Sequence, residues 1–246
     1  GDVYDWNRDH DLFRVNAKSW IVQKRLGEKL VKGGLKVSLG RPDVVVACQR
    51  IGGEYHVGLK LPTKKGFEDR KPQNRPFFHP TSMHPKLARC LVNLTRAPRG
   101  GRILDPFCGT GGILIEAGLV GMSLEGWDID ERMVAGCRQN LKHFGLEGKL
   151  KKEDALEVVD YQADCIVTDP PYGRSSYSST DSKRIVDVFL ESAQDWMDGE
   201  STLVLVAPEE VEVKNRMLEC VESFDVRIHK SLTRRIRIIK KKWGDD

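Results

Sequence analysis

The feature that most constrains the fold is a regular alternation of short apolar segments and amphipathic segments from residue 86 onward. Several apolar segments are hydrophobic throughout, as in strands buried on both faces of a parallel sheet. Predicted strands are 102–104, 124–127, 150–152, 165–168, 202–207, 226–229 and 235–239, and predicted helices are 86–94, 113–119, 131–144, 185–196 and 215–220. This alternation predicts an α/β fold with a doubly wound sheet, closed by its last two strands as an antiparallel pair.

A smaller α+β unit is predicted in front, over residues 1–60. Its elements are a strand at 12–15, a helix at 19–31, a strand at 35–39 and a hairpin of strands 44–48 and 55–59 around Gly52-Gly53. Residues 61–76 are rich in proline, glycine and charge, which indicates a linker. Its excess of Lys and Arg fits either a solvated linker or a strip that touches phosphates. The larger domain is then 77–246.

Composition excludes several classes of protein. No apolar run approaches the ~20 residues needed to span a bilayer, and residues 1–10, with three Asp, do not form a signal peptide. The six cysteines form no Cys-x-x-Cys pair, so we expect reduced thiols, mostly in the core, of a cytoplasmic protein without a structural metal. Lys and Arg number 40 and Asp and Glu 36, a balance that is weak evidence for a polyanionic partner.

A Gly-rich turn follows the predicted strand 102–104, at the end of the sheet where ligands of open α/β sheets bind. It runs Asp105-Pro-Phe-Cys-Gly-Thr-Gly-Gly112. The turn lacks the Lys and Ser/Thr that end a phosphate loop, and an acid followed by proline does not fit a dinucleotide fingerprint. An acid at position 105 suits a ligand with a positive charge, such as the amino group of a methionine moiety.

Two further acids follow the next two predicted strands. Asp128 is placed to accept both hydroxyls of a ribose, although it could instead help Asp130 to cap the following helix. Asp154, beside Glu153, is either a surface acid or an acceptor for the exocyclic amine of adenine. Contacts to methionine, ribose and adenine together describe S-adenosyl-L-methionine.

The most specific motif, Asp169-Pro170-Pro171-Tyr172, directly follows the predicted strand 165–168. An exocyclic base amine is a poor nucleophile, because its lone pair is delocalised into the ring. The Asp169 carboxylate and the Pro170 carbonyl can accept its two N–H groups and aim the lone pair at a methyl donor. Tyr172 offers a face on which an extruded base can stack. The alternative is an ordinary Pro-Pro turn, but the motif predicts methyl transfer to a base amine.

Three segments carry a resemblance to a known family: 75–89, 104–117 and 168–173. Together they resemble the archaeal tRNA guanine-10 N2-methyltransferases, which are Rossmann-fold amino-methyltransferases, over residues 70–240. Residues 1–60 are similar to the later part of a THUMP domain, which binds tRNA, and more chain usually precedes this part in the family. The resemblance implies S-adenosyl-L-methionine as cofactor, tRNA as partner, and a small zinc-binding activator protein as a second partner.

The resemblance also assigns roles to individual residues. The implied assignments are Asp105, Phe107, Gly109 and Gly111 for the methionine end of the cofactor, Asp128 for the ribose, Ile129 and Asp154 for the adenine, Asp169, Pro170 and Tyr172 for the target guanine, and His79 and Ser82 for contacts to cofactor or base.

Two other functions remain open at this point. A DNA adenine-N6 or cytosine-N4 methyltransferase would use the same Pro-Pro-Tyr motif to bind its target amine. However, a long DNA target-recognition region does not follow the motif. A non-catalytic RNA-binding module with a vestigial site is the other alternative, although every polar position that the chemistry needs is filled. Within the preferred function, the sequence leaves open whether one or two methyl groups are transferred.

Overall fold

The computed structural model describes residues 12–60, 66–171, 179–229 and 232–242. The described residues fall into two compact units that divide between residues 65 and 66. The predicted linker residues 61–65 and the motif residue Tyr172 lie outside the described ranges.

Over its described residues, 12–60, the first unit is a four-stranded sheet with one helix. Its elements are β1 Leu12–Ala17, α1 Trp20–Lys32, β2 Lys36–Val37, β3 Val44–Ile51 and β4 Glu54–Leu59. The strand order is β2-β1-β3-β4, with β1 parallel to both neighbours and β3 antiparallel to β4. The predicted hairpin is confirmed, and Gly52 and Gly53 both have positive φ, which lets the chain reverse between β3 and β4. The predicted strand 35–39 is shorter, covering only Lys36–Val37.

The second unit carries the α/β alternation. Its elements are α2 Pro85–Leu94, β5 Arg102–Asp105, α3 Gly112–Gly118, β6 Ser123–Asp128, α4 Glu131–His143, β7 Gly148–Lys152, β8 Cys165–Thr168, α5 Ser179–Trp196, β9 Thr202–Pro208, β10 Leu218–His229 and β11 Leu232–Lys241. Within the described ranges, no helix is long and apolar enough to cross a membrane.

Seven strands of this unit form one sheet in the order β10-β11-β9-β8-β5-β6-β7. The five strands from β9 to β7 are parallel, and β11 is antiparallel to β9 and β10, which confirms the predicted closing pair. After β7 the chain returns to the other side of β5 and adds β8 there. The strand order therefore reverses between β5 and β8, and the crevice outside their carboxyl ends is where open α/β sheets bind ligands.

Hydrophobic residues pack on both faces of this sheet, as a doubly wound fold requires. On one face, α2, α3 and α4 cover Ile103 and Val167. On the other face, α5 covers Leu104 and Ile166, and the buried Trp127 and Trp196 belong to the same cluster. Four of the six cysteines are buried, which agrees with the expectation that most are core residues.

The predicted helix at 215–220 is wrong, because β10 begins at Leu218. Asn215 accepts hydrogen bonds from the backbone N–H groups of Met217 and Leu218 through Oδ1, at 2.8 and 3.0 Å. Such a local side-chain bond offers the backbone an alternative to a helical turn and directs it into the strand.

Residues 66–76, the second part of the predicted linker, belong to the second unit and pack against its helices. Arg70 forms an ion pair with the fully buried Glu116 of α3 at 2.6 Å, and Arg89 contacts the same carboxylate at 2.8 Å. Arg75 is 5% exposed and donates to the carbonyls of Arg70 and Met83. Two of the basic residues considered for phosphate contact are thus used within the fold.

Candidate active site

The Gly-rich turn between β5 and α3 adopts a conformation that requires glycine. Gly109 and Gly111 have φ of 50° and 81°. A Cβ at Gly111 would lie 2.6 Å from the Sγ of Cys137 on α4, so this position has neither a suitable φ nor space for a side chain. The turn therefore lets the backbone at Gly109 and Thr110 line the crevice at the carboxyl end of β5.

Asp105, the last residue of β5, is held by hydrogen bonds in the buried floor of this region. It is 1% exposed, and its Oδ1 accepts from Thr168 Oγ1 at 2.9 Å and from the Phe107 backbone N–H at 3.2 Å. Thr168 is the last residue of β8. One hydrogen bond therefore joins the ends of the two strands that flank the switch point.

Asp128, the last residue of β6, fixes the Gly-rich turn from the other side. Its Oδ2 accepts from the Gly109 N–H at 2.9 Å, and its Oδ1 accepts from the Asp130 N–H at 3.0 Å. The predicted helix cap is confirmed at Asp130, whose carboxylate accepts from the Arg132 N–H in the first turn of α4. Asp128 thus contacts both the start of α4, through the Asp130 N–H, and the Gly-rich turn, through the Gly109 N–H.

The segment 75–83, which we call the strap, leads into α2 and lies beside the Gly-rich turn. Ser82 Oγ lies 2.7 Å from Thr110 Oγ1, and His79 Nδ1 lies 2.8 Å from Thr81 Oγ1. The strap, the Gly-rich turn and Asp169, which follows β8, line one cleft.

Asp169 follows β8 directly, with its side chain only 17% exposed, and lies in the same cleft as Asp105. Arg234 of β11 donates from Nη1 to Asp169 Oδ2 at 2.8 Å. Pro170 is buried and Pro171 is exposed. Sequence reasoning missed Arg234, because an antiparallel strand 65 residues away delivers it and no local motif marks it.

Of the predicted site residues, the structure brings six to this cleft: His79, Ser82, Asp105, Phe107, Gly109 and Asp169. Gly111 lies behind the turn, against Cys137. Ile129 is 65% exposed, and the Asp154 Oδ1 accepts from the Leu156 N–H at 2.9 Å, a contact within its own turn. The assignment of individual contacts to a ligand remains a prediction for all of these residues.

Burial of the acidic groups gives the cleft its electrostatic character. Burial raises the pKa of Asp105 to about 7, against the hydrogen bonds from Thr168 and Phe107, and the nearby Asp169 and Asp128 raise it further. Burial also raises the pKa of Asp128, again against backbone hydrogen bonds. Because burial disfavours the charged form of these carboxylates, a ligand with a positive charge would stabilise them.

The sheet order and the Gly-rich turn define the class of protein, a Rossmann-like methyltransferase domain. The profile of the family described as "RMKL-like, methyltransferase domain" matches residues 72–234. The chain therefore belongs to this family, and within it to the tRNA (guanine(10)-N2)-dimethyltransferase group represented by the relatives below.

Two archaeal relatives illustrate this assignment. The tRNA (guanine(10)-N2)-dimethyltransferase of Methanothermobacter thermautotrophicus is 42% identical, over 96% of this chain and 76% of the relative. The protein of the same name from Methanocaldococcus jannaschii is 36% identical, over 94% of this chain and 68% of the relative.

A solved structure supports the fold. The crystal structure of TrmN from Thermus thermophilus superposes with a TM-score of 0.61, over 95% of this chain and 73% of that chain. The sequence identity is 24%, so this likeness establishes the fold alone.

Proposed function

We propose that this chain transfers methyl groups from S-adenosyl-L-methionine to the exocyclic N2 amine of a guanine in tRNA, with guanine 10 as the expected position. The observation that carries the proposal is the placement of the Asp169 carboxylate in the same cleft as the Gly-rich turn and Asp105. The relatives that are 42% and 36% identical bear the name of this activity.

The residues present fit the cofactor. S-Adenosyl-L-methionine supplies an electrophilic methyl group on a sulfonium and carries a cationic amino group. Asp105 is buried at the base of the Gly-rich turn, and its raised pKa reports a carboxylate that a nearby cation would stabilise. We assign Asp105, Phe107, Gly109 and Gly111 to the methionine end, Asp128 to the ribose, and Ile129 and Asp154 to the adenine.

The chain's own residues supply the acceptor side of the reaction. We assign the Asp169 carboxylate and the Pro170 carbonyl as acceptors for the two N–H groups of guanine N2, which frees the nitrogen lone pair for in-line attack. As positive charge develops on that nitrogen, Asp169 stabilises it and receives a proton. Arg234 holds one carboxylate oxygen through its 2.8 Å ion pair and so fixes the orientation of Asp169. Tyr172 is assigned as the stacking partner of the guanine.

Two transfers to the same nitrogen are proposed, following the name of the relatives. After the first transfer one N–H remains, so one of the two acceptors must release its hydrogen bond and leave space for a methyl group. A time course should therefore show N2-methylguanosine before N2,N2-dimethylguanosine.

The first unit is assigned to tRNA binding as a THUMP-like unit over residues 1–60. It carries a concave groove of about 790 Å³ whose lining includes Lys18, Arg50, Tyr55 and Lys60. Cationic side chains beside an exposed aromatic ring suit a polyanion with stacking bases. We also propose a cytoplasmic location, because tRNA is the proposed substrate, and a zinc-binding activator as a second partner.

The experiment that tests the function is methyl transfer from radiolabelled S-adenosyl-L-methionine to unmodified tRNA, followed by nucleoside analysis, with and without the activator. Asp169→Ala is expected to abolish turnover and to leave cofactor affinity within about threefold, because the carboxylate faces the target amine. Asp195→Ala, at an exposed position on α5, is the matched control and keeps wild-type activity. Turnover by the Asp169 variant would refute the mechanism, and label on duplex DNA but not on tRNA would refute the substrate.

A further inference from the structure

α4 presents a row of residues to the strap and to the Gly-rich turn, the two segments that line the cofactor cleft. Asn140 is fully buried, and its side-chain amide makes three hydrogen bonds. Oδ1 accepts from the Phe77 N–H at 2.9 Å, and Nδ2 donates to the carbonyls of Phe77 and Thr110 at 3.0 and 2.9 Å. Phe77 belongs to the strap and Thr110 to the Gly-rich turn.

Only an amide side chain in this orientation satisfies all three partners, because one acceptor must face an N–H and two donors must face carbonyls. The bond to Phe77 is bidentate, as between two strands, and fixes the strap backbone at one residue. The same Nδ2 also ties that residue to the turn. Beyond this point, Ser82 and Thr110 form a second bridge of 2.7 Å between the strap and the turn.

Gly136 and Cys137, one turn earlier on α4, complete the contact. A methyl group at Gly136 would overlap the ring of Phe77, so glycine is needed for the strap to approach the helix. Cys137 fills the space against Gly111. One helix face therefore accommodates the strap and the turn at the same time.

We propose that Asn140 is a positioning residue for the cofactor cleft. It locks the strap to the Gly-rich turn and thereby sets the width of the cleft between them. The inference rests on the proposed function, since it concerns how the cleft binds S-adenosyl-L-methionine. Asn140 itself does not line the cleft. Its effect on binding passes through the strap, which contributes His79 and Ser82, and through the turn, which contributes Gly109.

The test compares S-adenosyl-L-methionine affinity by calorimetry in Asn140→Ala and Leu141→Ala. Leu141 is the next residue on α4 and is 2% exposed in the core, so its truncation lowers stability without removing the amide hydrogen bonds to Phe77 and Thr110. Asn140→Ala is expected to raise the dissociation constant on the order of 10- to 100-fold, the range that a misplaced binding element produces. Leu141→Ala should stay within about threefold, and kcat of Asn140→Ala at saturating cofactor and tRNA should stay within about fivefold.

A steric pair makes the test independent of whether Asn140→Ala folds. Gly136→Ala raises the local helix propensity, yet it forces the Phe77 ring and the strap away from α4. It should weaken cofactor binding at least tenfold, whereas Phe77→Ala/Gly136→Ala, which removes the overlapping ring, should restore binding to within about threefold of wild type.

The outcomes separate the two proposals. A wild-type chain that does not bind S-adenosyl-L-methionine would overturn the proposed function. A wild-type chain that binds it, with Gly136→Ala and a folded Asn140→Ala binding equally well, would overturn the positioning role alone. Equal weakening in Leu141→Ala would also overturn it, because the effect would then follow stability and not the link between strap and turn.

Discussion

Replacing Asp105 by Asn should stabilise the ligand-free protein, and the gain should grow with pH. The side chain is buried at the end of β5, and its pKa is raised from 3.8 to about 7 by burial. The folded state therefore binds this proton more tightly than the unfolded state does. The resulting stability is fully present below pH 4 and is lost as the pH rises through 7.

The size of the effect follows from the two pKa values. One unit of pKa difference corresponds to about 1.4 kcal/mol, so the raised pKa of Asp105 lowers the stability of the folded state relative to the unfolded state by about 1.7 kcal/mol at pH 5 and about 4 kcal/mol at pH 8. Asn cannot ionise, yet its Oδ1 can still accept from Thr168 Oγ1 and the Phe107 N–H. The stability gain of Asp105→Asn should thus increase by about 2.5 kcal/mol between pH 5 and pH 8.

Urea unfolding at pH 5 and pH 8, followed by tryptophan fluorescence, measures this difference. Trp127 and Trp196 are both 1% exposed in the second unit and report on its transition. Asp160→Asn, at an exposed position, is the control for a change of net charge by one unit. A stability difference between Asp105→Asn and wild type that is equal at the two pH values would refute the reasoning that burial holds this proton.

Three further variants test the ion pairs of the second unit. Arg234→Ala removes the 2.8 Å contact to Asp169, and we expect kcat to fall by about tenfold, which corresponds to the loss of a charge-assisted hydrogen bond of about 1.5 kcal/mol. Cofactor affinity, measured by calorimetry, should stay unchanged. A wild-type kcat in this variant would contradict the role of Arg234 in orienting Asp169. Glu116→Ala leaves Arg70 and Arg89 without their buried carboxylate partner. We expect a loss of about 3–5 kcal/mol in the free energy of unfolding. Glu116→Gln, which keeps the volume, should lose nearly as much, and a loss below about 1 kcal/mol in both variants would show that packing holds residues 66–76 on the domain without this charge.

The sequence was sufficient to predict the sheet because its central strands are parallel and buried on both faces. Such strands are apolar throughout, and residues 165–168 and 202–207 differ by at most one residue from β8 and β9. The start of α5 was predicted at 185 but lies at Ser179, since the first residues of this helix are polar and give no apolar period. The error at 215–220 has a similar cause, because a single hydrogen-bonding side chain at Asn215 decided between turn and helix.

The acids of the candidate site could be predicted for a topological reason. Parallel strands end at one edge of the sheet, so the sequence predicts that Asp105, Asp128 and Asp169 converge there. Arg234 and Asn140 could not be predicted in this way. Each contacts a partner more than 60 residues distant, and both partnerships depend on how a strand or helix packs, which no local pattern encodes.

The hydrogen bond between Thr168 and Asp105 connects the two halves of the proposed reaction. Asp105 begins the turn assigned to the methyl donor, and Thr168 immediately precedes the Asp169 assigned to the methyl acceptor. The two strands pair in parallel register, with Ile103 opposite Cys165 and Leu104 opposite Ile166, so their ends cannot slide relative to each other. Methyl transfer requires donor and acceptor to be aligned within a fraction of an ångström. A rigid pair of adjacent central strands meets this requirement better than two loops would, because the sheet fixes both carboxylates before either ligand binds.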